Sequence, residues 1–286
     1  MAGNPFFAQF TYLENWDVVY SLILVVIGIG YLYLVGPYRV SNGKEVVEGE
    51  KKFYFILGLW VYYMAQGSPL AMMGHELFSV HMLQMSLLYL VVPPLILAGL
   101  PAWVVRPIVT HRLIKPVFRF FTSPLIALVL FNGFISIYHF PFIFDSVMSS
   151  SLLHVISHLL LLLASFAMWW PLLCPIPELD RLSGLQKMGY IFADGVLLTP
   201  ACAMLIFAGT LLYDSYQGSH VFPMVETLAD QQLGGVIMKI MQEISYGIVL
   251  GTVFFQWVAK EKVKNEKEKI VKRDESNEYS FQSTSL

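Results

Sequence analysis

Long apolar segments separated by short polar links run along most of the chain. A helix needs roughly 20 apolar residues to cross the hydrocarbon core of a bilayer, and seven segments reach that length. The pattern therefore predicts an all-α fold, a polytopic membrane protein built as a seven-transmembrane-helix bundle. The predicted spans are Val18 to Tyr38, Phe53 to Met73, Phe78 to Leu100, Phe120 to Phe140, Leu152 to Leu173, Met188 to Leu212 and Leu233 to Val258.

Positive charges follow alternate spans only. Cytoplasmic loops of membrane proteins collect Lys and Arg, so this distribution indicates the orientation of the chain. All 18 Lys and Arg residues except Lys239 follow span one, three, five or seven, and the links after the other spans carry none. The sequence therefore predicts an N-terminus outside and a C-terminus in the cytoplasm.

Three regions are expected on this basis. Residues 1–17 form an extracellular tail, residues 18–258 the seven-helix transmembrane domain, and residues 259–286 a charged cytoplasmic tail. The cytoplasmic tail alternates Lys with Glu and then becomes rich in Ser, which is typical of disorder.

The first apolar segment is longer than a signal-peptide core and lacks a basic leader, so we interpret it as an uncleaved span. Pro101 to Phe118 favours either a helix along the inner interface or a solvated loop.

Composition agrees with a membrane protein. Of 286 residues, 56% are hydrophobic and 13% charged, whereas soluble domains carry about 25% charged residues. We therefore expect membrane lipids to surround the bundle. The formal net charge of -2 argues against nucleic acid as a partner, because nucleic acid requires a clustered basic face. Only two cysteines occur, which argues against a disulfide framework.

Histidine side chains are the main candidates for chemistry. Six of the seven fall at or near the predicted outer face, and imidazole is a common ligand of copper and zinc. His154 and His158 are four residues apart, and so are His81 and Met85; such residues share one helical face. With His139, these residues predict a metal site near the outer ends of two spans. Methionine sulfur suits cuprous copper, and further sulfur is expected nearby from Met64, Met72, Met73 and Met82.

For each residue taken alone, an interpretation without a metal is favoured. A single histidine on an apolar helix usually serves as a hydrogen-bonded packing residue, and methionine usually fills a core. His75 and His220 are expected to be ordinary surface residues. The coincidence of two pairs at one depth, together with His139, favours the metal site.

Charged residues within spans are costly and need partners. Lys239 and Glu243 are spaced to pair, and we favour a neutralised intramembrane polar pair packed in the bundle over a proton or cation relay. Asp194 has the same two interpretations. The sequence contains no Gly-x-Ser-x-Gly elbow, phosphate-binding loop or His-Glu-x-x-His motif, so evidence for a hydrolase is weak.

Three separated motifs, in order, resemble the CtaG-type cytochrome c oxidase assembly factors of bacteria. The first runs from His81 to Met85 and continues through Pro93, Pro94 and Gly99 to Pro101; the second comprises His139 to Pro141, Asp145, His154, His158 and Trp169 to Pro171; the third comprises Asp230 to Gly235 and Met238. The resemblance implies a seven-helix protein of the bacterial cell membrane that helps to assemble a haem-copper oxidase and supplies copper to its catalytic subunit.

The resemblance also implies site residues. It carries over His81, His139, His154 and His158 as metal ligands, with Asp145 and Asp230 as supporting or structural partners. Many relatives have a second histidine where this chain has Met85, a departure that weakens a general divalent-metal site but is compatible with Cu(I). We therefore expect a copper-binding assembly factor rather than an enzyme, with haem-copper oxidase subunits and a copper donor protein as partners.

The sequence leaves two alternatives open. One is a membrane-embedded metalloenzyme that uses zinc or iron in the same cluster. The other is a metal-independent scaffold for oxidase subunits, whose histidines hydrogen-bond helix ends. A transporter that uses Lys239, Glu243 and Asp194 is less favoured, because the sequence shows no inverted repeat.

Overall fold

A computed structural model describes residues 5–218 and 226–284, and these residues form helices and loops without a strand. The principal helices are α1 (Val18–Tyr33, continued by Leu34–Tyr38 and Arg39–Ser41), α2 (Gly49–Gln66), α3 (Pro69–Met73), α4 (Phe78–Ser86, continued by Leu87–Val91 and Val92–Gly99), α5 (Ala102–Val109), α6 (Ile114–Phe121), α7 (Pro124–Tyr138), α8 (Pro141–Met148), α9 (Ser151–Leu173), α10 (Gly184–Ile206) and α11 (Thr227–Thr284). Short helical turns lie at Pro5–Ala8, Gln9–Thr11, Leu13–Asn15, Pro177–Leu179 and Asp214–Tyr216.

Several helices are long and apolar enough to cross a membrane. Among the described residues these are the five stretches Val18–Ser41, Phe78–Gly99, Ser151–Leu173, Gly184–Ile206 and Thr227–Ile270. A sixth is obtained if α6 and α7, which meet at a bend of 70°, form one broken span. These apolar helices indicate a membrane protein. The count of seven spans and the orientation of the termini stay predictions.

The segment predicted as the second span is divided into two helices. α2 ends at Gln66 and α3 begins at Pro69. Proline is well suited to the first position of a helix, where its missing amide hydrogen is not needed. Ser68 caps α3 by accepting a hydrogen bond from the amide of Leu70 at 3.2 Å. The first residues of α2 include Glu50, Lys51 and Lys52, which interrupt the apolar character that the other candidate spans retain.

The helix α4 lies at the centre of the bundle. Of its apolar stretch, 61% is buried inside the protein, compared with 17% for α1. Helices α2, α9 and α11 pack directly against α4, whereas α1 packs on the outer side of α2. Side chains of α4 are therefore the ones that contact several other helices at once.

Pro93 shapes the middle of α4. Pro93 has no amide hydrogen, so the carbonyl of Tyr89, four residues earlier, lacks its helical donor. That carbonyl instead accepts hydrogen bonds from the Ser165 hydroxyl and, at 3.0 Å, from Nε1 of Trp169. The helix widens there into the π-helical turn Leu87–Val91, an irregularity that is frequent at functional sites. These contacts hold Tyr89 between α4 and α9.

The start of α11 is anchored to α4 and α10. The Asp230 carboxylate accepts hydrogen bonds from the backbone amides of Phe78 at 2.7 Å and Ser79 at 3.3 Å, and from the Ser79 hydroxyl. A carboxylate satisfies the unpaired amides at a helix N-terminus and interacts favourably with the helix dipole. At Gly235 a Cβ atom would lie only 2.8 Å from Cβ of Leu205, so glycine permits the close approach of α11 to α10.

Lys239 and Glu243 form an ion pair on α11, with 2.8 Å between Nζ and Oε1. Their side chains are 30% and 65% exposed, so the pair lies on the surface of the bundle, unlike the packed position favoured from the sequence. The orientation of α11 about its own axis explains this position. Gln242, next to Glu243, faces inward and donates a hydrogen bond to the Gly195 carbonyl at 3.2 Å, so Glu243 faces outward. Beyond residue 258, α11 continues to Thr284, and disorder of this tail in solution stays a prediction.

Candidate metal centre

Four imidazole rings follow one another from the surface into the bundle. The ring centres of His75 and His154 are 5.4 Å apart, those of His154 and His158 are 4.3 Å apart, and those of His158 and His81 are 6.1 Å apart. His75 lies in the turn between α3 and α4, His81 in the first turn of α4, and the other two on α9. We call these four residues the histidine row.

Burial increases steadily along the histidine row. His75 is exposed and His154 is half-buried, while His158 and His81 are 7% and 1% exposed. Local structure explains part of this order, because the spacing of four residues stacks His154 on His158 along α9. The rest depends on packing, which brings the turn before α4 against the start of α9.

Hydrogen bonds occupy one nitrogen of each of the two innermost rings. The Tyr89 hydroxyl lies 2.8 Å from Nδ1 of His158, and the Tyr138 hydroxyl lies 3.1 Å from Nε2 of His81. Nε2 of His158 and Nδ1 of His154 are buried without a hydrogen-bond partner. An unpaired buried polar atom costs about 1 to 3 kcal/mol, so these two nitrogens are available to a ligand.

A cavity lies beside these nitrogens. It has a volume of about 310 Å³ and is lined by His154 and His158 together with Tyr20, Tyr62 and Tyr89. The lining comes from α1, α2, α4 and α9. An ion at this position would be surrounded by aromatic and apolar side chains, with imidazole as its strongest donor.

Neighbouring rings of the row could share a metal ion, two at a time. A metal ion about 2 Å from an imidazole nitrogen lies roughly 3 Å from the centre of that ring, so two rings that share it have centres at most about 6 Å apart. All three separations in the histidine row are close to or below this limit, but the rings of His154 and His158 are stacked at an interplanar angle of 27°, so these two rings would share an ion only after one of them rotates. Across residues 5–218 and 226–284, however, no group of three or more His, Cys, Asp or Glu side chains is arranged to hold a metal ion.

His139 lies beside the row but has both ring nitrogens occupied. Nδ1 lies 2.7 Å from the carbonyl oxygen of Ile135, and Nε2 lies 3.4 Å from the sulfur of Met82. Its backbone carbonyl accepts a hydrogen bond from Tyr213 at 2.9 Å. Met85 is 3% exposed and belongs to the apolar core. Met82 belongs to the same core, and its sulfur contacts His139; a role of Met85 as a copper ligand stays a prediction.

The two predicted supporting aspartates brace the backbone around the row. Asp145 accepts hydrogen bonds from the amides of Asp214 at 3.2 Å and Ser215 at 3.0 Å, and from the Ser215 hydroxyl at 2.6 Å. Asp230 holds the start of α4, as described above, and thereby the turn that carries His81. Both carboxylates contact backbone amides and hydroxyls, so they act on the imidazoles through the position of the chain.

Aromatic side chains close the inner end of the row. The ring of Phe144 lies 5.4 Å from that of His81 and 4.3 Å from that of Tyr213. Burial raises the pKa values of Tyr213 and Tyr216, so both hydroxyls stay protonated. Each donates a hydrogen bond to a backbone carbonyl, and that of Tyr216 reaches Gly74 O, next to His75, at 2.7 Å. The loop before α11 is thereby fastened to the turn that carries His75.

The sequence-based interpretation missed three members of this site. The sequence predicts His75 to be an ordinary surface residue, and its motifs do not include Tyr89 or Tyr138. Tyr89 is eight residues from His81 on the same helix, so helical periodicity could have indicated it; nothing local indicates the contacts of His75. His220 lies outside the described residues. Asp194 is fully buried and accepts hydrogen bonds from Tyr246 and Asn132.

The fold and the histidine row together define a polytopic helical membrane protein with a graded imidazole cluster in its bundle. A profile of the cytochrome c oxidase caa3 assembly factor family, Caa3_CtaG, matches residues 29–260. The chain belongs to this family, which confirms the resemblance carried by the three sequence motifs.

Curated relatives are more distant. An uncharacterized protein of Mycobacterium leprae is 23% identical over 271 residues, which cover 88% of this chain and 40% of the relative. An uncharacterized protein of Mycobacterium bovis is 24% identical over 276 residues, 90% of this chain and 41% of the relative. The chain thus spans about two fifths of the length of these relatives. No solved structure matches the chain.

Proposed function

We propose that the protein supports assembly of a haem-copper oxidase by holding copper transiently on the histidine row and delivering it to the catalytic subunit. Membership of the cytochrome c oxidase caa3 assembly factor family supports the assembly role. The observation that carries the copper step is the pair of buried, unpartnered imidazole nitrogens on His154 and His158. Both residues line the cavity described above.

The arrangement favours Cu(I) over zinc. Structural zinc sites have four ligands in a tetrahedron, and catalytic ones three protein ligands. The histidine row instead offers its rings two at a time. Cu(I) has a closed d shell and a single charge, accepts few ligands, and binds both imidazole and thioether donors. Copper is therefore the cargo in this proposal.

Delivery requires that copper also leaves. A site with two imidazole ligands and an open position binds less tightly than a closed four-ligand site, and an acceptor can attack at the open position. The partners in this proposal are the catalytic subunit of the oxidase, which takes the copper, and a copper donor protein, which provides it. The protein acts here as a metallochaperone in the bacterial cell membrane, with the row at the outer face.

Copper retention by purified protein tests the proposal. The double variant His154→Ala/His158→Ala is loaded with Cu(I) beside the wild type, separated from free metal and analysed for bound copper. We expect the wild type to retain copper and the double variant to lose it. His111→Ala is the matched control, because His111 is exposed between α5 and α6, away from the row. Equal retention by the wild type and the double variant would refute copper binding at this site.

A second measurement separates delivery from scaffolding. Cells that contain the double variant should assemble the oxidase without its full copper content, while the variant itself still inserts in the membrane. Normal copper content and activity of the oxidase in these cells would favour the metal-independent scaffold.

A further inference from the structure

We infer that His75 is the gate ligand of the row, through which copper exchanges between water and the more deeply placed His154 and His158. This inference rests on the proposed copper binding and adds the path by which copper enters and leaves the row. His75 is the exposed end of the row, its ring centre lies 5.4 Å from that of His154, and burial increases from there to His81.

The cavity itself offers a poor route for a cation. Its wall includes Val155 and Leu159, which are 63% and 54% exposed on the surface of α9. Because α9 is a candidate membrane span, this exposed surface faces lipid. An ion in the hydrocarbon region of a bilayer is costly, so an ion is not expected to enter through the lipid-facing part of this wall.

The inner end of the row is closed. His81 is 1% exposed and is covered by the rings of Phe144 and Tyr138 at 5.4 and 6.1 Å. An ion that reached His81 would return along the row. Among the described residues of the row, His75 is the most exposed, ahead of the half-buried His154, so it is the position that an aqueous ligand meets first.

Transfer between the gate and the interior is a ligand substitution. The His154 lone pair forms a nitrogen–copper bond while the bond from His75 breaks; copper stays Cu(I) throughout, and the neutral imidazoles exchange no electrons. The separation of 5.4 Å between these rings permits both nitrogens to hold one ion about 2 Å away during the exchange. The ion is never without an imidazole ligand on this path.

His75 controls the rate of copper release more than the amount of copper that the protein retains. Without His75, an external ligand must reach the ion at His154, which is less exposed. Copper-loaded His75→Ala, mixed with an excess of the chromogenic Cu(I) chelator bicinchoninate, should release copper at least about tenfold more slowly than the wild type, a barrier change near 1.4 kcal/mol. The amount of copper bound at equilibrium should fall much less than the release rate, because the ligands His154 and His158 remain.

Two further variants make the result specific. His75→Met replaces one copper ligand by another and should restore fast release, whereas His75→Gln, which removes the ring, should behave like His75→Ala. His111→Ala is the control for the loss of an exposed histidine. Release at the wild-type rate from His75→Ala and His75→Gln would overturn the gate, and so would loss of copper retention in both. Failure of the wild type to retain copper would instead refute the proposed function itself.

Discussion

The hydrogen bond between Tyr89 and His158 gives a quantitative test of the site. Nε2 of His158 can bind copper only with its lone pair free, which places the ring proton on Nδ1. In that tautomer Nδ1–H donates to the Tyr89 hydroxyl oxygen, 2.8 Å away. The Tyr89 hydroxyl can accept this hydrogen bond, so Tyr89 is expected to support the tautomer that exposes Nε2 once copper binds there, in the way that partners of metal-binding histidines usually do.

The variant Tyr89→Phe removes this acceptor and little else, since Tyr89 is 1% exposed and its ring stays in the core. Loss of a hydrogen-bonding partner behind a ligating histidine weakens metal affinity by about 10- to 100-fold. The unpaired Nδ1–H should also lower the free energy of unfolding by about 1 to 3 kcal/mol. Cu(I) affinity is measured by competition with bicinchoninate, and stability by thermal unfolding followed by circular dichroism.

A matched control separates the two effects. Tyr190 is also buried, and its hydroxyl donates to the Met168 carbonyl at 3.0 Å, without contact to the row. Tyr190→Phe should lose stability to a similar degree and keep the wild-type copper affinity. If Tyr89→Phe binds copper as tightly as the wild type, or if both variants lose the same affinity, Tyr89 does not orient a ligand.

Three further predictions concern the fold that positions the row. Asp230→Asn should lower the free energy of unfolding by about 1 to 2 kcal/mol, because it weakens a charge-assisted cap of α4; an unchanged thermal midpoint would contradict the anchoring role. Gly235→Ala should cost about 1 to 3 kcal/mol through overpacking against α10, whereas Gly247→Ala, which has open space, should not destabilise. For the predicted orientation, Ser149→Cys should react with a membrane-impermeant maleimide on intact cells and Arg112→Cys should not; the reverse pattern would invert the topology.

The methionines of α4 show what sequence spacing cannot determine. The sequence favoured Met85 as the soft ligand, because it lies one turn from His81. The structure buries both Met82 and Met85 in the apolar core and sets the sulfur of Met82 against His139, while ligation by Met85 stays a prediction. Successive residues on a helix point about 100° apart, so the choice between them depends on which helices surround α4. Sequence spacing alone contains no information about that arrangement.

Features determined by local rules could be predicted. The spacing of His154 and His158 indicates one helical face, and the structure stacks their rings at 4.3 Å. The break between α2 and α3 also has local causes, in Ser68 and Pro69, and could have been predicted from them. The pairing of Lys239 with Glu243 follows from their spacing, but its position on the bundle surface does not.

What the sequence alone determined is the apolar, helical character of the chain, the charge pattern that predicts its orientation, and the motifs that identify its family. These follow from periodicity, transfer free energies and residue identity, which need no knowledge of distant contacts. Only the tertiary structure decided that His75 meets His154, that tyrosines hold the inner imidazoles, and that two ring nitrogens stay unpaired. Those contacts join residues far apart in the chain, and they exist because α4 and α9 pack with particular faces together.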